Sequence, residues 1–199
     1  MTPTSGVHPI EAESHRILSR RVDLNHLSPD VGAVVARVVH ATADLDFAHS
    51  LVLDQDAVAA GVAALRAGAP VIADVEMVRA GITAAAALCY LDAVTAEQAA
   101  PLTRSAAAMG VAAARHPEGA VVVVGCAPTA LAQVVRLAAE RRLRPALVVG
   151  LPVGFVGAAE AKEGLRASGL AAISNVGEKG GSGAAAAVVN ALARLAAAS

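Results

Sequence analysis

Three features of the chain predict an α/β fold with a mostly parallel central sheet, helices on both faces and helices ahead of it. From Pro70 onward, short valine-rich segments alternate with alanine-rich segments of helical spacing. The stretches that follow the valine-rich segments are rich in glycine and proline. Hydrophobic residues make up 56% of the 199 residues, and much of that share is alanine and valine, as alanine-rich helices packed on valine-rich strands require.

The first part of the chain reads as helical. Ile10 to Leu24 sets Ile10, Ile17 and Leu18 on an apolar face, with arginines and glutamates outward. Ser28-Pro29-Asp30 begins a second helix, with Ser28 as cap, Pro29 in the first turn and Asp30 at the positive end of the dipole. This helix runs through Val34, Val35 and Val38 to about His40, and His40-Ala41-Thr42-Ala43-Asp44 reads as the turn that leaves it. Asp54 caps a third helix through Val58, Val62 and Leu65, ending near Gly68.

The alternation follows. Pro70–Asp74 is a short buried strand, and Val75–Ala80 one or two helical turns. Thr103–Arg115 is helical. Ala120–Val124 is a strand on the strength of four successive valines. Thr129–Arg142, Gly157–Ser168 and Ser182–Ala198 are helices, separated by strands at Ala146–Val149 and Ala171–Ser174. With no internal repeat and no linker composition, residues 1–199 read as one domain. In such a sheet the loops leaving the carboxyl ends of the strands converge on one edge. Those loops are Ala73–Val75, Gly125–Thr129, Gly150–Gly157 and Ser174–Ser182, so the site is expected there.

Composition removes several classes of function. Aromatic residues are 2% of the chain, which argues against base stacking, and a net charge of −1 gives no global attraction to nucleic acid or acidic membrane. Cys89 and Cys126 lack metal or disulfide spacing and read as small buried residues. His8, His15, His26, His49 and His116 form no ligand pattern, so no metal site is expected. Met1–His8 has no apolar signal core, and Ala146–Ala159 is shorter than the roughly 20 residues of a spanning helix. The chain reads as cytoplasmic.

Gly177-Glu178-Lys179-Gly180-Gly181-Ser182 opens the last helix. Its glycines and free N–H groups suit a carboxylate or phosphate, with Lys179 as a mobile charge. A plain turn capped by Ser182 fits equally well. It is not a Walker loop, and no GxGxxG follows the first strand. His40, at a helix carboxyl end where the dipole favours imidazolium, suits an acid catalyst. A buried histidine with both nitrogens satisfied is the plainer alternative. Asp44 or Asp46 is available to orient the ring. Arg104, in Thr103-Arg104-Ser105, suits a carboxylate clamp or a solvated helix start, and the same two readings apply to Ser14 and Arg16.

In order along the chain, these stretches resemble the precorrin-8X methylmutase family. The resemblance rests on Ile10-Glu11-Ala12-Glu13-Ser14, on Arg37-Val38-Val39-His40-Ala41-Thr42-Ala43-Asp44 and on Ala67 to Met77. It continues through Thr103-Arg104-Ser105, Gly125 to Leu131, Gly150-Leu151-Pro152-Val153-Gly154-Phe155-Val156-Gly157-Ala158-Ala159-Glu160, and Lys179-Gly180-Gly181-Ser182 with its alanine-rich helix ending at Asn190-Ala191-Leu192. It implies a homodimer, free of metal and redox cofactors, that acts on a corrinoid tetrapyrrole. The reaction it implies is the shift of a methyl group from ring carbon eleven to carbon twelve, giving hydrogenobyrinic acid, or its cobalt-containing equivalent. By the same resemblance His40 is the catalytic acid. Ser14, Arg16, Thr42, Arg104, Lys179, Gly180, Gly181 and Ser182 are then expected to hold the macrocycle. The chain departs from the family pattern at Cys126, where many relatives carry Asn, and at Val176-Gly177-Glu178-Lys179, where many carry an Arg-Gly-Arg type sequence. A corrinoid carrier without turnover, and an unrelated phosphate-binding α/β enzyme, are the alternatives from other classes.

Overall fold

The valine-rich segments pair as the strands of one sheet. The computed structural model describes residues 9–198; Met1–His8, read above for a signal core, and the histidine that ends it lie outside the described residues. The strands are β1 (Leu51–Val52), β2 (Val71–Ala73), β3 (Ala87–Cys89), β4 (Val121–Val124), β5 (Leu147–Gly150) and β6 (Ala172–Asn175). Their order is β1-β6-β5-β4-β2-β3, and every pairing is parallel except the antiparallel β1–β6 edge. Val121, Val122 and Val123 stand between Val71, Ile72 and Ala73 on one side and Leu147, Val148 and Val149 on the other. Every residue of β2, β4 and β5 is buried, as expected of parallel strands covered on both faces.

The helices are α1 (Pro9–Arg21), α2 (Pro29–Thr42), α3 (Phe47–Ser50), α4 (Gln55–Arg66), α5 (Glu76–Gly81), α6 (Ala96–Ala99), α7 (Arg104–Arg115), α8 (Pro128–Ala139), α9 (Ala158–Ala167) and α10 (Ser182–Ala198). Because strand side chains alternate in direction, each valine strand feeds two cores. Val121 and Val123 join Val38, Val58, Val188 and Leu192 under α2, α4 and α10. Val122 and Val124 join Met109, Leu131, Leu137 and Leu165 under α7, α8 and α9.

The helix α10 is buried nearly all round over Ala184–Leu192 and packs on α2, α4, α5, β4 and β5. Its small side chains permit these close approaches. Gly61 on α4 does the same from the other side, since a Cβ there would lie 2.7 Å from Leu147 Cδ2 and 2.9 Å from Leu192 Cδ1. Asn190 is the buried polar exception. Its carbonyl oxygen accepts the N–H groups of Thr83 (2.9 Å) and Ala84 (3.0 Å), and its amide donates to Gly81 O (2.9 Å). It thereby fixes the segment that leads into β3.

Several expectations are corrected. Strands β1 and β3 were not anticipated; they are short edge strands with half-exposed residues, so they lack the buried valine pattern. Helix α1 stops at Arg21, and its packed side is carried by Leu18, with Val22 just beyond its end, while Ile10 and Ile17 are 75% and 40% exposed. Helix α2 continues to Thr42, so His40 lies within its last turn and the reversal falls at Ala43, with φ 53°. Ser28 stands at the cap position, but its hydroxyl donates to Gln55 Oε1 rather than capping the helix. Asp54 does cap α4, accepting Ala57 N–H at 2.7 Å.

Replacing Asn190 by Ala leaves three backbone groups in the core side of α10 without their partner. A loss of roughly 2–4 kcal/mol is expected in urea unfolding. A variant unfolding at the wild-type midpoint would contradict this role.

Candidate active site

The carboxyl edge of the sheet is organised by one buried carboxylate. Asp74 follows β2 directly and is fully buried. Its Oδ1 accepts the N–H of Gly125 (3.1 Å), and its Oδ2 accepts those of Cys126 (3.0 Å) and Ala127 (2.9 Å). Burial pushes this carboxyl above its ordinary pKa, and the three amide bonds only partly offset that. The loop it holds presses on the start of α10. A Cβ at Gly125 would lie 3.1 Å from Ser182 Cα. Both cysteines are half-buried free thiols, with pKa raised chiefly by burial.

The loops after β5 and β6 are locked together. Gly181 N–H donates to Leu151 O at 2.8 Å, and Gly154 N–H donates to Glu178 O at 3.1 Å. A Cβ at Gly180 would sit 2.3 Å from Leu151 O and 2.5 Å from Pro152 O, so only glycine fits. Gly181 adopts φ 120°, which disfavours any side chain. Beneath this turn lies Lys162 of α9, fully buried. Its Nζ donates to Lys179 O (2.6 Å) and to Asn175 Oδ1 (3.0 Å), while Asn175 Nδ2 donates to the same Lys179 carbonyl (2.8 Å). Burial lowers the Lys162 pKa from 10.5 to about 8, with Arg166 adding to the shift and Glu178 opposing it.

Helix α1 crosses α2 so that Ser14 Oγ lies 2.8 Å from His40 Nδ1. The His15 ring stacks on the His40 ring, with centroids 5.1 Å apart and planes 11° from parallel. His40 is half-buried in the last turn of α2. Two residues on, Thr42 Oγ donates to Val38 O at 2.8 Å and accepts the Asp44 N–H at 3.2 Å, closing the helix end. Asp44 and Asp46 then take the Lys179 ammonium, Asp44 at 2.8 Å. That contact holds the Asp44 carboxyl below its ordinary pKa and holds Lys179 above its own.

The structure therefore gathers Ser14, His40, Thr42, Lys179, Gly180, Gly181 and Ser182 around the junction of α1, α2 and the turn into α10. Lys179 is tied down rather than mobile. Asp44 and Asp46 hold that lysine, and the hydroxyl of Ser14 is what meets His40 Nδ1. Arg16 bonds Glu13 one turn back on α1, and lies two positions from Ser14, on another face of the helix. Arg104 stands apart at the start of α7, donating to Asp92 Oδ1 (3.1 Å) and Leu91 O (3.2 Å). The neighbouring Thr103 and Thr129 hydroxyls, 2.7 Å apart, join the starts of α7 and α8 on the same edge. Sequence reasoning missed His15, Lys162 and Asn175. The adjacency of His15 to Ser14 was a signal for the first; a lysine inside an otherwise ordinary amphipathic helix gave none for the second. Among the described residues no three His, Cys, Asp or Glu side chains form a metal-binding group. A groove of about 620 Å³ between Pro70–Val71 and the end of α10 lies at the opposite edge, away from this chemistry.

A parallel sheet covered on both faces, with a hydroxyl-bound histidine and a glycine turn near its carboxyl edge, defines the class as α/β. The sequence pattern of the precorrin-8X methylmutase family matches residues 9–195, and the chain belongs to that family. It is an isomerase of corrin biosynthesis. It is 38% identical over 170 residues to the cobalt-precorrin-8 methylmutase of Methanocaldococcus jannaschii, covering 84% of this chain and 80% of that one. It is 39% identical over 194 residues to the precorrin-8X methylmutase of Pseudomonas aeruginosa, covering 92% and 93% respectively. The crystal structure of the Thermus thermophilus precorrin-8X methylmutase superposes with a TM-score of 0.86 at 38% identity, over 95% of this chain and 96% of that one.

Two outcomes follow from this geometry. Gly180→Ala forces the turn away from the Leu151 and Pro152 carbonyls and is expected to cost roughly 1–3 kcal/mol in urea unfolding; an unchanged midpoint would contradict the packing. Lys162 releases its proton near pH 8 when folded but holds it to 10.5 when unfolded. Between these values the unfolded chain binds more protons, so this group adds stability as the pH rises through that window. The wild type should gain stability over Lys162→Met between about pH 7.5 and about pH 9.5 in paired urea melts. A constant difference would contradict the lowered pKa.

Proposed function

We propose that the chain moves the methyl group from ring carbon eleven to carbon twelve of metal-free precorrin-8X, forming hydrogenobyrinic acid, with His40 as the acid. The observation that carries this reading is the 2.8 Å contact of Ser14 Oγ with His40 Nδ1 at the end of α2. In the imidazolium, Nδ1–H donates to the Ser14 hydroxyl, which sets the orientation of the ring that supplies the proton. His15, flat against the same ring, fixes its plane. A sigmatropic shift needs no nucleophile, metal or redox cofactor. It needs the macrocycle held in one orientation and a proton delivered to a ring nitrogen, which draws electron density and eases migration. Such acid catalysis is worth roughly 10²–10⁴-fold.

The many carboxylates of the substrate favour a protonated His40 and require local anchors. The N–H groups at the start of α10 supply these, with Gly180, Gly181, Ser182 and Lys179 beside them, while Thr42 shapes the adjoining helix end. Arg104 and Arg16 serve outlying carboxylates, each exchanging its present acidic partner for the substrate. The cobalt-containing substrate is the second reading, and the naming of the Methanocaldococcus jannaschii relative as a cobalt-precorrin-8 methylmutase favours it.

A homodimer completes the reading. Phe155 and Val156, 97% and 88% exposed on the loop after β5, stand beside the glycine turn and suit burial against a second copy. No helix among the described residues is long and apolar enough to cross a membrane, which is compatible with a cytoplasmic enzyme.

His40→Ala is expected to keep the fold and bind hydrogenobyrinic acid while losing about 10²-fold or more in turnover of precorrin-8X. Unimpaired turnover would remove the mechanism. Growth of the product's visible spectrum with wild type separates an enzyme from a carrier, and reactivity toward the cobalt substrate alone would select the second reading. Phe155→Ser is expected to shift sedimentation toward the monomer; unchanged sedimentation would dismiss this loop as the contact.

A further inference from the structure

Lys162 is a fully buried ammonium whose polar contacts are neutral, a side-chain amide and a main-chain carbonyl. Such a group is costly to bury, and nothing in the proposed chemistry uses it directly. Its position is informative. It grips the carbonyl of Lys179 at 2.6 Å, and Asn175 grips the same oxygen at 2.8 Å. In a trans peptide the C=O and the following N–H point in opposite directions. Drawing the Lys179 carbonyl inward therefore turns the Gly180 N–H outward, away from α9. The next unit is fixed the other way, with Gly181 N–H bonded inward to Leu151 O.

We propose that Lys162 is a positioning residue of this isomerase: by holding the Lys179 carbonyl it presents the Gly180 N–H and the adjoining start of α10 to a carboxylate of the macrocycle. The assignment rests on the reading that the glycine turn meets the substrate. The effect reaches further through one residue, because the Lys179 side chain bonds Asp44 and Asp46 just beyond the helix that carries His40. The charged neighbours of the Lys162 amine are Arg166 on its own helix and Glu178 on the turn. Arg166 in turn donates to Asn175 O at 3.0 Å, so two cations from α9 brace the end of β6. Replacing Lys162 by Met keeps an unbranched apolar stem, one atom shorter for want of the amine, and so removes both the donor and the charge.

The test compares wild type, Lys162→Met and Lys162→Gln, the last keeping N–H donors on a stem one atom shorter in case the Met variant does not fold. Precorrin-8X kinetics give KM and kcat, and ¹⁵N spectra follow the Gly180 amide as hydrogenobyrinic acid is added. The expected result has three parts. The wild-type Gly180 amide shifts on titration, the variants start from a displaced Gly180 resonance, and KM rises about tenfold or more with kcat changed far less. General destabilisation would instead reduce the active fraction, and so kcat, at constant KM. If the wild-type amide shifts but the variants keep the wild-type KM, the positioning role is overturned and the turn remains a binding element. If the wild-type amide does not respond to the product, both the role and the reading beneath it are overturned.

Discussion

The arrangement depends on a helix that has no solvent face over most of its length. Ala184 to Leu192 of α10 is buried against α2, α4, α5 and the sheet, and the small alanines let all of these approach at once. Close packing of this kind leaves little freedom to slide or rotate. The start of α10 is therefore fixed at the carboxyl edge of β4 and β5, and α2, lying on the same helix, is fixed with its carboxyl end nearby. The placement of the glycine turn and of His40 is a consequence of one helix–helix contact. Function at this edge is positioned by core packing rather than by the loops themselves.

Around that frame the polar groups divide the work. Asp74 gathers the amides of the loop after β4, and Lys162 with Asn175 gathers the carbonyl of the turn after β6. One buried anion thus binds donors and one buried cation binds acceptors, each at the end of a strand. Both are satisfied by neutral groups, Asp74 by main-chain amides and Lys162 by the Lys179 carbonyl and the Asn175 side-chain amide. The exposed pairs, such as Arg104 with Asp92 and Lys179 with Asp44, contribute little stability but hold these side chains in place. A net charge of −1 gives no global attraction to an anion, so the proposed contacts with a polycarboxylate are local.

The central strands were legible because four valines in a row have few alternatives to a buried strand, and β4 appears within a residue of its expected bounds. The edge strands were not, since two or three half-exposed residues carry no period. The end of α2 was set too early because Thr42 and Asp44 read as turn formers. In the structure Thr42 closes the helix through Val38 O, and the turn falls on Ala43. Within the site, His40, Ser14 and the Lys179–Ser182 turn were found as a set through the resemblance, whereas their mutual contacts depend on helix crossings that local patterns do not encode. Lys162 was invisible for the same reason. Its meaning comes from Asn175 and Lys179, which reach it only in the folded chain.

The account turns on a proton held by His40 when the methyl group moves. The most direct measurement is kcat for precorrin-8X across pH at saturating substrate, set beside the titration of the His40 ring followed by NMR in the product complex. An acid role predicts that kcat falls as pH rises through the His40 titration, with the same midpoint. A kcat that stays level while His40 loses its proton would contradict it.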